Sequence, residues 1–192
     1  MKTLLLTGGI GSGKSAVAGI LREKGIPVFD SDSETKNLYT PWRIRRIEKI
    51  LGVKIHAKGG ALDKKALSSL VFNNPEALGK LEGYIYPSLL RVFRSWRKTS
   101  AAPFVVFESA IALSKPFFSG IWDGVILVDA PLEVRLCRAA SRDRTSLDAV
   151  RKRAALQEIP QSADYVIVND STMEELERRV EDDFLKKIDY IC

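Results

Sequence analysis

The stretch LLLTGGIGSGKSAV, residues 4–17, places a glycine-rich turn directly after an apolar run. It fits the pattern G-x-x-x-x-G-K-S/T at Gly8, Gly13, Lys14 and Ser15. The pattern is specific for phosphate binding when a strand precedes it and a helix follows. The apolar run predicts that strand, and helical spacing of apolar residues after the loop predicts that helix. The stretch therefore predicts a strand, a phosphate-binding loop and a helix in succession.

The glycines of this loop have a chemical reason. A backbone without side chains can curl so that its N–H groups point inward at phosphate oxygens. The helix that follows directs its positive end at the same point. Lys14 can reach the β- and γ-phosphates, and the Ser15 hydroxyl can bind Mg²⁺. We therefore expect an ATP site that includes Gly9, Gly11, Ser12, Gly13, Lys14, Ser15 and Ala16.

The rest of the chain alternates short apolar runs with helical patterns. The runs predict strands at Thr3–Thr7, Ile26–Phe29, Pro103–Phe107, Gly124–Val128 and Tyr165–Val168. The helical patterns include Ser15–Lys24, Leu132–Arg142 and Met173–Lys187. Apolar runs that do not alternate with polar residues are typical of parallel strands covered on both faces. We predict an α/β fold of the P-loop NTPase type, with a five-stranded parallel sheet and helices on both faces.

The stretch from Ser33 to about Lys98 contains no convincing strand. It predicts helices at Trp42–Leu51 behind Pro41, at Asp63–Phe72 and at Glu76–Trp96. We therefore expect a core formed by residues 1–32 and 99–192, with an all-helical, substrate-binding insertion at residues 33–98.

Composition narrows the classes of partner. The chain has 192 residues and a net charge of +6, but its basic residues are scattered except for a short cluster at Arg43, Arg45 and Arg46. We expect neither nucleic acid nor a membrane as partner, since no basic stripe and no apolar run of about 20 residues is evident. Two cysteines are too few for a disulfide framework and favour the cytoplasm.

Acidic residues stand where several predicted strands end. Asp30 and Asp32 follow the second strand, Glu108 ends the third and Asp129 ends the fourth. An acid at this edge of the sheet can accept a proton from an attacking hydroxyl or hold Mg²⁺ through water. Asp32 could instead cap the next helix, as could Ser33. For the metal we favour Ser15 with Glu108, with Asp30 as an alternative through water, and we interpret Asp129 as structural.

An arginine row follows the fourth strand. Arg135, Arg138 and Arg142 are three and four residues apart, so they share one helix face. Such a row is stable opposite a polyphosphate, although a solvated helix would also tolerate it. Arg153 and Gln157 are one turn apart on a predicted second helix. We predict a helical lid at about residues 138–160, hinged in the turn between the two helices.

Several of these segments together resemble the dephospho-CoA kinase family. They are LTGGIGSGKS, the paired acids after the second strand, GALDKKALSSLVFNNPEALGKLEGYIYP, and RDRTSLDAVRKRAALQ followed by ADYVIVN. The resemblance covers nearly the whole chain. It implies transfer of the γ-phosphate of ATP, with Mg²⁺, to the ribose 3′-hydroxyl of dephospho-CoA. The product would be coenzyme A.

The resemblance also implies roles for individual residues. Asp32 matches the family's catalytic base, and Lys14 and Ser15 match its phosphate and Mg²⁺ ligands. The expected catalytic residues are thus Asp32, Lys14 and Arg142. Besides the loop, the expected ATP contacts are Arg138, Arg142 and Asn169. The expected dephospho-CoA contacts are Asp32, Lys36, Lys65, Tyr86, Glu108 and Arg153.

The chain departs from the family pattern on the acceptor side. Tyr86 and Pro87 stand where the family usually has His-Pro, and Lys36 and Lys65 stand where it often has arginine. The proline and second acid that usually accompany Glu108 are absent. Two other functions remain open: a P-loop kinase for a nucleoside or nucleoside monophosphate, and a nucleotide-driven switch without catalysis.

Overall fold

The computed structural model of the protein describes residues 1–72 and 74–188. The chain divides into two compact units. The first contains Met1–Asp30 and the chain from Ser100 onward, and the second is Ser31–Thr99. Asp32 therefore belongs to the second unit. None of the described helices is long and apolar enough to cross a bilayer.

The first unit is built on one sheet of five parallel strands. In chain order they are β1 (Lys2–Thr7), β2 (Val28–Asp30), β3 (Phe104–Glu108), β4 (Gly124–Asp129) and β5 (Tyr165–Val168). Their spatial order is β2-β3-β1-β4-β5. The chain builds one side of β1 first and the other side afterwards, so the strand order reverses at β1. Ligands of open parallel sheets bind beyond the carboxyl ends of the strands at such a point. The predicted fold class is confirmed.

Helices account for most of the remaining chain. They are α1 (Lys14–Glu23), α2 (Ser31–Asn37), α3 (Pro41–Leu51), α4 (Lys64–Phe72), α5 (Pro75–Lys98), α6 (Leu132–Asp143), α7 (Leu147–Ala155) and α8 (Met173–Arg178). Helices α2–α5 make up the second unit, and two short 3₁₀ turns, Ala112–Ser114 and Pro116–Phe118, follow β3.

The C-terminal helix differs from the single α-helix predicted at Met173–Lys187. Wider π-helical turns occupy Arg179–Leu185 before a last α-helical turn at Lys186–Ile188. The guanidinium of Arg179 donates to the Val168 carbonyl at 2.6 Å and to Asp170 at 2.7 Å, which ties the start of the wider turns to the end of β5. Buried residues spaced by four, such as Val180 and Phe184, fit either helix type, so the apolar pattern could not distinguish them.

The core of the first unit lies on both faces of the sheet. On one face, Leu4 and Leu6 of β1 and Val106 of β3 pack with residues of α1 such as Leu21. Elsewhere in the unit, the fully buried Phe107 lies against aromatic rings at centroid distances of 5.4 to 6.4 Å, those of Phe29, Phe118 and Trp122. Burial on both faces explains why the strands lack alternation.

The second unit is helical, as predicted. Thr40 caps α3 by accepting from the Arg43 amide at 3.4 Å, and Asn74 caps α5 by accepting from the Ala77 amide at 3.0 Å. Helix α2 begins at Ser31, so Asp32 is in its first turn. The alternative in which Asp32 or Ser33 caps this helix is therefore wrong, because both residues lie inside it.

Candidate active site

The glycine-rich loop connects the central strand β1 to α1. Gly13 takes a left-handed conformation (φ 95°) immediately before the helix, and its carbonyl accepts from the Ala16 and Val17 amides at 2.9 and 3.1 Å. The Lys14 ammonium donates to the Gly8 carbonyl at 2.9 Å. Lys14 thus folds back over its own loop, so the loop and the lysine form one cradle at the positive end of α1.

Three loop glycines also allow other segments to approach. A side chain on Gly9 would collide with the Arg135 guanidinium, and one on Gly13 would collide with the Asn169 side-chain amide. A side chain on Gly11 (φ 74°) would collide with the Arg135 backbone. From the sequence motif, phosphate binding alone explains why glycines are needed in the loop. In the structure, the glycines also allow α6 and the residue after β5 to come close to the loop.

Two buried polar atoms at this loop have no hydrogen-bond partner within residues 1–72 and 74–188. They are the Ser12 hydroxyl oxygen and the Nε of Arg135. Buried polar groups are nearly always hydrogen-bonded, so such exceptions indicate a ligand or water that belongs there. A hydroxyl and a guanidinium beside an amide cradle fit phosphate oxygens. Arg135, which the sequence places in the arginine row, is thus a further candidate contact for phosphate.

The Mg²⁺ candidate Ser15 contacts the carboxylate of Glu108 at the end of β3. The Ser15 hydroxyl donates to Glu108 Oε1 at 3.2 Å, and Arg22 lies 3.9 Å from Oε2. Asp30 ends the neighbouring strand and is paired with Glu108 in register. Asp129 is exposed at the end of β4, and its backbone carbonyl accepts a hydrogen bond from the backbone N–H of Asn169 at 2.7 Å. Glu108 is thus the acid that the fold brings to Ser15.

The pKa of Glu108 is raised above its usual value, first by burial and then by the charge of Asp30. The Ser15 hydrogen bond and the charges of Lys14 and Arg22 act against this rise. Within the described ranges, no three acidic, histidine or cysteine side chains cluster to hold a metal. A hydroxyl and one carboxylate fit a Mg²⁺ ion that takes its other ligands from phosphate and water.

The predicted ATP contacts Arg138 and Asn169 meet each other beside the loop. Arg138 Nη1 donates to the Asn169 carbonyl at 2.8 Å. The Asn169 side-chain amide donates to the Ser12 carbonyl at 2.9 Å, and only 7% of Asn169 is exposed to solvent. The end of β5, α6 and the loop are therefore joined through one asparagine.

The segment predicted as a lid, at about residues 138–160, falls on two helices, α6 and α7, joined by a short turn. Arg142 on α6 and Arg153 on α7 both bind the Asp143 carboxylate at 2.8 Å. These two arginines, Arg142 first, lower the pKa of Asp143 to about 2. Arg144 takes a left-handed conformation (φ 49°) in the turn. Arg142, an expected ATP contact, and Arg153, an expected dephospho-CoA contact, thus share one acidic partner.

Gln157 provides a contact between the lid and the loop that the sequence did not reveal. It lies two residues beyond the end of α7, so its predicted position within that helix is wrong. Its side-chain oxygen accepts from the Ile10 amide at 2.6 Å. The Ile10 side chain packs against Leu136 and Val150 of the lid. The residue pattern could not show this contact, because it joins segments far apart in the chain.

The expected substrate residues of the second unit lie on three helices. Asp32 and Lys36 are exposed at opposite ends of α2, and Lys65 is exposed on α4. Tyr86 is buried on α5, where its hydroxyl donates to Glu82 at 3.2 Å. Burial first, and then the charge of Glu82, raises the pKa of Tyr86.

Comparisons with known proteins identify the family of the chain. Residues 3–175 match a family model described as dephospho-CoA kinase. A dephospho-CoA kinase of Porphyromonas gingivalis is 38% identical over 176 residues, which cover 88% of this chain and 86% of that protein. A Thermus thermophilus crystal structure superposes with a TM-score of 0.83 at 32% identity, covering 96% of this chain and 97% of that one. A dephospho-CoA kinase from Campylobacter jejuni shares the fold, with a TM-score of 0.64 at 23% identity over 98% of this chain and 96% of that one.

Proposed function

Because the chain belongs to the dephospho-CoA kinase family of ATP-dependent phosphotransferases, we propose that it phosphorylates the ribose 3′-hydroxyl of dephospho-CoA. Coenzyme A and ADP are the products. The observation that carries this proposal is the glycine loop with Ser15 bonded to Glu108, in a chain that matches the family from residue 3 to 175.

The loop holds the β- and γ-phosphates of ATP in this proposal. Its amides and the positive end of α1 face the phosphates, and Lys14 exchanges the Gly8 carbonyl for a phosphate oxygen. The unpartnered Ser12 hydroxyl and Arg135 Nε supply two further donors. Arg138 and Asn169 border the same loop and contribute to the nucleotide site.

Ser15 and Glu108 hold Mg²⁺, which neutralises charge on the phosphates when bound. The hydroxyl would be a ligand of the ion, and the carboxylate would hold one of its waters. Asp30, paired with Glu108 in the sheet, is the alternative acid for that water.

Asp32 acts as the base. The substrate 3′-oxygen forms a bond to the γ-phosphorus while the bond from that phosphorus to the β–γ bridging oxygen breaks. ADP leaves with the bonding electron pair, and Asp32 accepts the hydroxyl proton. The support for this role is its family match and its place two residues beyond the end of β2.

The acceptor contacts in this proposal are those that the family resemblance implies, namely Asp32, Lys36, Lys65, Tyr86, Glu108 and Arg153. Lysine keeps the positive charge of the arginine that the family often has, but loses its paired hydrogen-bond geometry. Arg142, in turn, stabilises charge on the transferring phosphoryl group once it exchanges Asp143 for phosphate.

The decisive experiment is an ADP-release assay with ATP and one acceptor at a time: dephospho-CoA, adenosine, AMP or uridine. We expect turnover with dephospho-CoA that requires Mg²⁺ and is lost in Lys14→Ala. We expect Asp32→Asn to lower kcat by about 100-fold or more with little change in KM. Glu34→Gln, on the same helix, is the control and should keep its rate.

Two results of this assay would contradict the proposal. Turnover with a nucleoside or nucleoside monophosphate, without turnover of dephospho-CoA, would indicate a different kinase. ATP hydrolysis that no acceptor stimulates would indicate a nucleotide switch. We also propose that the protein works in the cytoplasm, where the exposed, unpaired thiol of Cys137 stays reduced.

A further inference from the structure

A cleft within the second unit gathers basic and aromatic side chains. It has a volume of about 510 Å³ and lies between α3 and α5. Helix α3 contributes Trp42, Arg43, Arg45, Arg46 and Lys49, and α5 contributes Tyr84, Ser88 and Arg91. A volume of this size is typical of a site for one small molecule.

The charge on α3 is concentrated on one face. Arg45, Arg46 and Lys49 are spaced as neighbours on a helix surface, and Ile44 and Ile47 form the opposite, buried face. Like charges at this spacing destabilise a helix. Within the described part of the chain, these three cations have no carboxylate partner.

Among the described residues, several other charged side chains do have partners, unlike these three cations. The only acid of α3, Glu48, accepts from the Ile55 amide at 2.7 Å and lies 2.6 Å from the His56 ring. In the first unit, exposed Arg151 lies 3.2 Å from Glu133, and Arg178 lies 2.8 Å from Glu175. Because the one acid of α3 is engaged elsewhere, its cations suit an anion from outside the chain.

One cation of the cleft, Arg91, is held in place by a hydrogen bond within α5. Arg91 Nη2 donates to the hydroxyl of buried Ser88 at 3.1 Å. That hydroxyl in turn donates to the Tyr84 carbonyl at 3.1 Å. A guanidinium fixed in this way loses less freedom when it binds a phosphate group.

The aromatic side chains point to a ligand with a base. Trp42 is 69% exposed, which is unusual for so large an apolar side chain, and Tyr84 is half-buried nearby in the cleft. Aromatic rings in a positively charged groove stack on nucleobases, whatever the base, while the cations contact phosphates. A ring and several cations in one small cleft match a single nucleotide.

This cleft is separate from the acceptor residues proposed above. Neither Asp32, Lys36, Lys65 nor Tyr86 lines it. Tyr86 is two residues from both Tyr84 and Ser88, so it points to the other side of α5. We propose that the cleft is a second, non-catalytic site that binds a nucleoside polyphosphate, with its base on Trp42 and its phosphates on Arg45, Arg46, Lys49 and Arg91.

The test counts bound nucleotide on the full chain. Calorimetry with ADP should give two sites per chain for the wild type and one for Arg45→Glu/Arg46→Glu. The milder pair Arg45→Gln/Arg46→Gln should weaken the same site by about tenfold. The control Arg94→Glu/Lys98→Glu reverses two exposed charges of α5 outside the cleft and should keep two sites. ADP should quench tryptophan fluorescence less in Trp42→Phe than in the wild type.

Further ligands define the chemistry. Inorganic triphosphate should bind the cleft at least about tenfold more weakly than ADP, because it has no base to stack. Coenzyme A also carries an adenosine phosphate and should compete with ADP for the cleft. Whichever of the two binds with higher affinity is the better candidate for the natural ligand. The proposal is overturned by one ADP site in the wild type, by a site count that the α3 variants leave unchanged, or by triphosphate binding as tightly as ADP. Tighter binding of a single-stranded oligonucleotide would overturn it in favour of nucleic acid. None of these readouts depends on turnover, so they are independent of the kinase assay.

Discussion

Glu108 is a site residue whose ionisation depends on the fold around it. Its carboxylate accepts a hydrogen bond from the Ser15 hydroxyl, and the ionised form is the stronger acceptor. Burial and the nearby charge of Asp30 raise its pKa, and the group therefore takes up a proton at a higher pH than an exposed glutamate does. Activity that needs the ionised form is present above this raised pKa and is lost as the pH falls through it.

The substitution Asp30→Asn tests this control. It removes a charge that raises the pKa of Glu108, so the acid limb of kcat/KM against pH should move to lower pH. The plateau rate should change by no more than about threefold, since Glu108 and Ser15 keep their contact. A pH–rate profile with dephospho-CoA as acceptor measures both quantities. A plateau more than about 100-fold lower would mean instead that Asp30 itself holds the metal's water.

Helices α6 and α7 are connected by two acidic side chains with different neighbours. Asp143 binds the lid arginines Arg142 and Arg153, and Glu133 binds Arg151 at 3.2 Å. The folded pKa of Asp143, about 2, is below its ordinary value of 3.8. The contribution of this bridge to stability is thus fully present above pH 3.8 and is lost only as the pH falls through about 2.

The substitution Asp143→Asn should loosen the lid at any pH between about 5 and 9. We expect KM for ATP to rise about three- to tenfold, and amide exchange in residues 144–157 to accelerate, because two arginines lose their shared anchor. Glu133→Gln is the matched control, since it breaks the other ion pair between the same helices. It should change neither quantity by more than about twofold. Equal effects of the two variants would show that Asp143 serves only to join the helices.

Gln157 couples the end of the lid to the loop through the Ile10 amide. Gln157→Ala should weaken ATP binding about threefold, because one hydrogen bond that shapes the loop is lost. Gln157→Glu keeps an acceptor oxygen but adds a negative charge beside the phosphates. It should weaken binding more than alanine does, and the excess should shrink at high salt. Tighter ATP binding by Gln157→Ala would reverse the interpretation, since Gln157 would then compete with phosphate for the amide.

Stability of the first unit rests on aromatic packing in its sheet. Phe107 is fully buried among three rings, and its truncation leaves a cavity that a parallel sheet cannot close. Phe107→Ala should lower the free energy of unfolding by about 3–5 kcal/mol in denaturant titration. Phe72→Ala, at a side chain that is 79% exposed, should lower it by less than about 0.5 kcal/mol. Similar losses in both variants would contradict the importance of this cluster.

The features that could be predicted are those encoded by neighbours in the chain. The loop at Gly8–Ser15 has a local pattern, and the apolar runs of strands buried on both faces are continuous, so the fold class follows from the sequence. Arg135 and Gln157 act across the fold, on a loop more than a hundred residues earlier, and no spacing rule reveals such contacts. The π-helical turns at Arg179–Leu185 depend likewise on a tertiary contact of Arg179.

The whole molecule carries its helical unit as one continuous segment. The chain leaves β2 after Asp30 and returns to β3 from Ser100, and these two strands are direct neighbours in the sheet. A segment attached at two adjoining strands can be lengthened, shortened or exchanged without changing the order of the sheet or the loop that holds the phosphates. Because we propose that the helical unit contacts dephospho-CoA, we expect that exchanging this segment can change the preferred acceptor while the phosphate-binding loop stays the same.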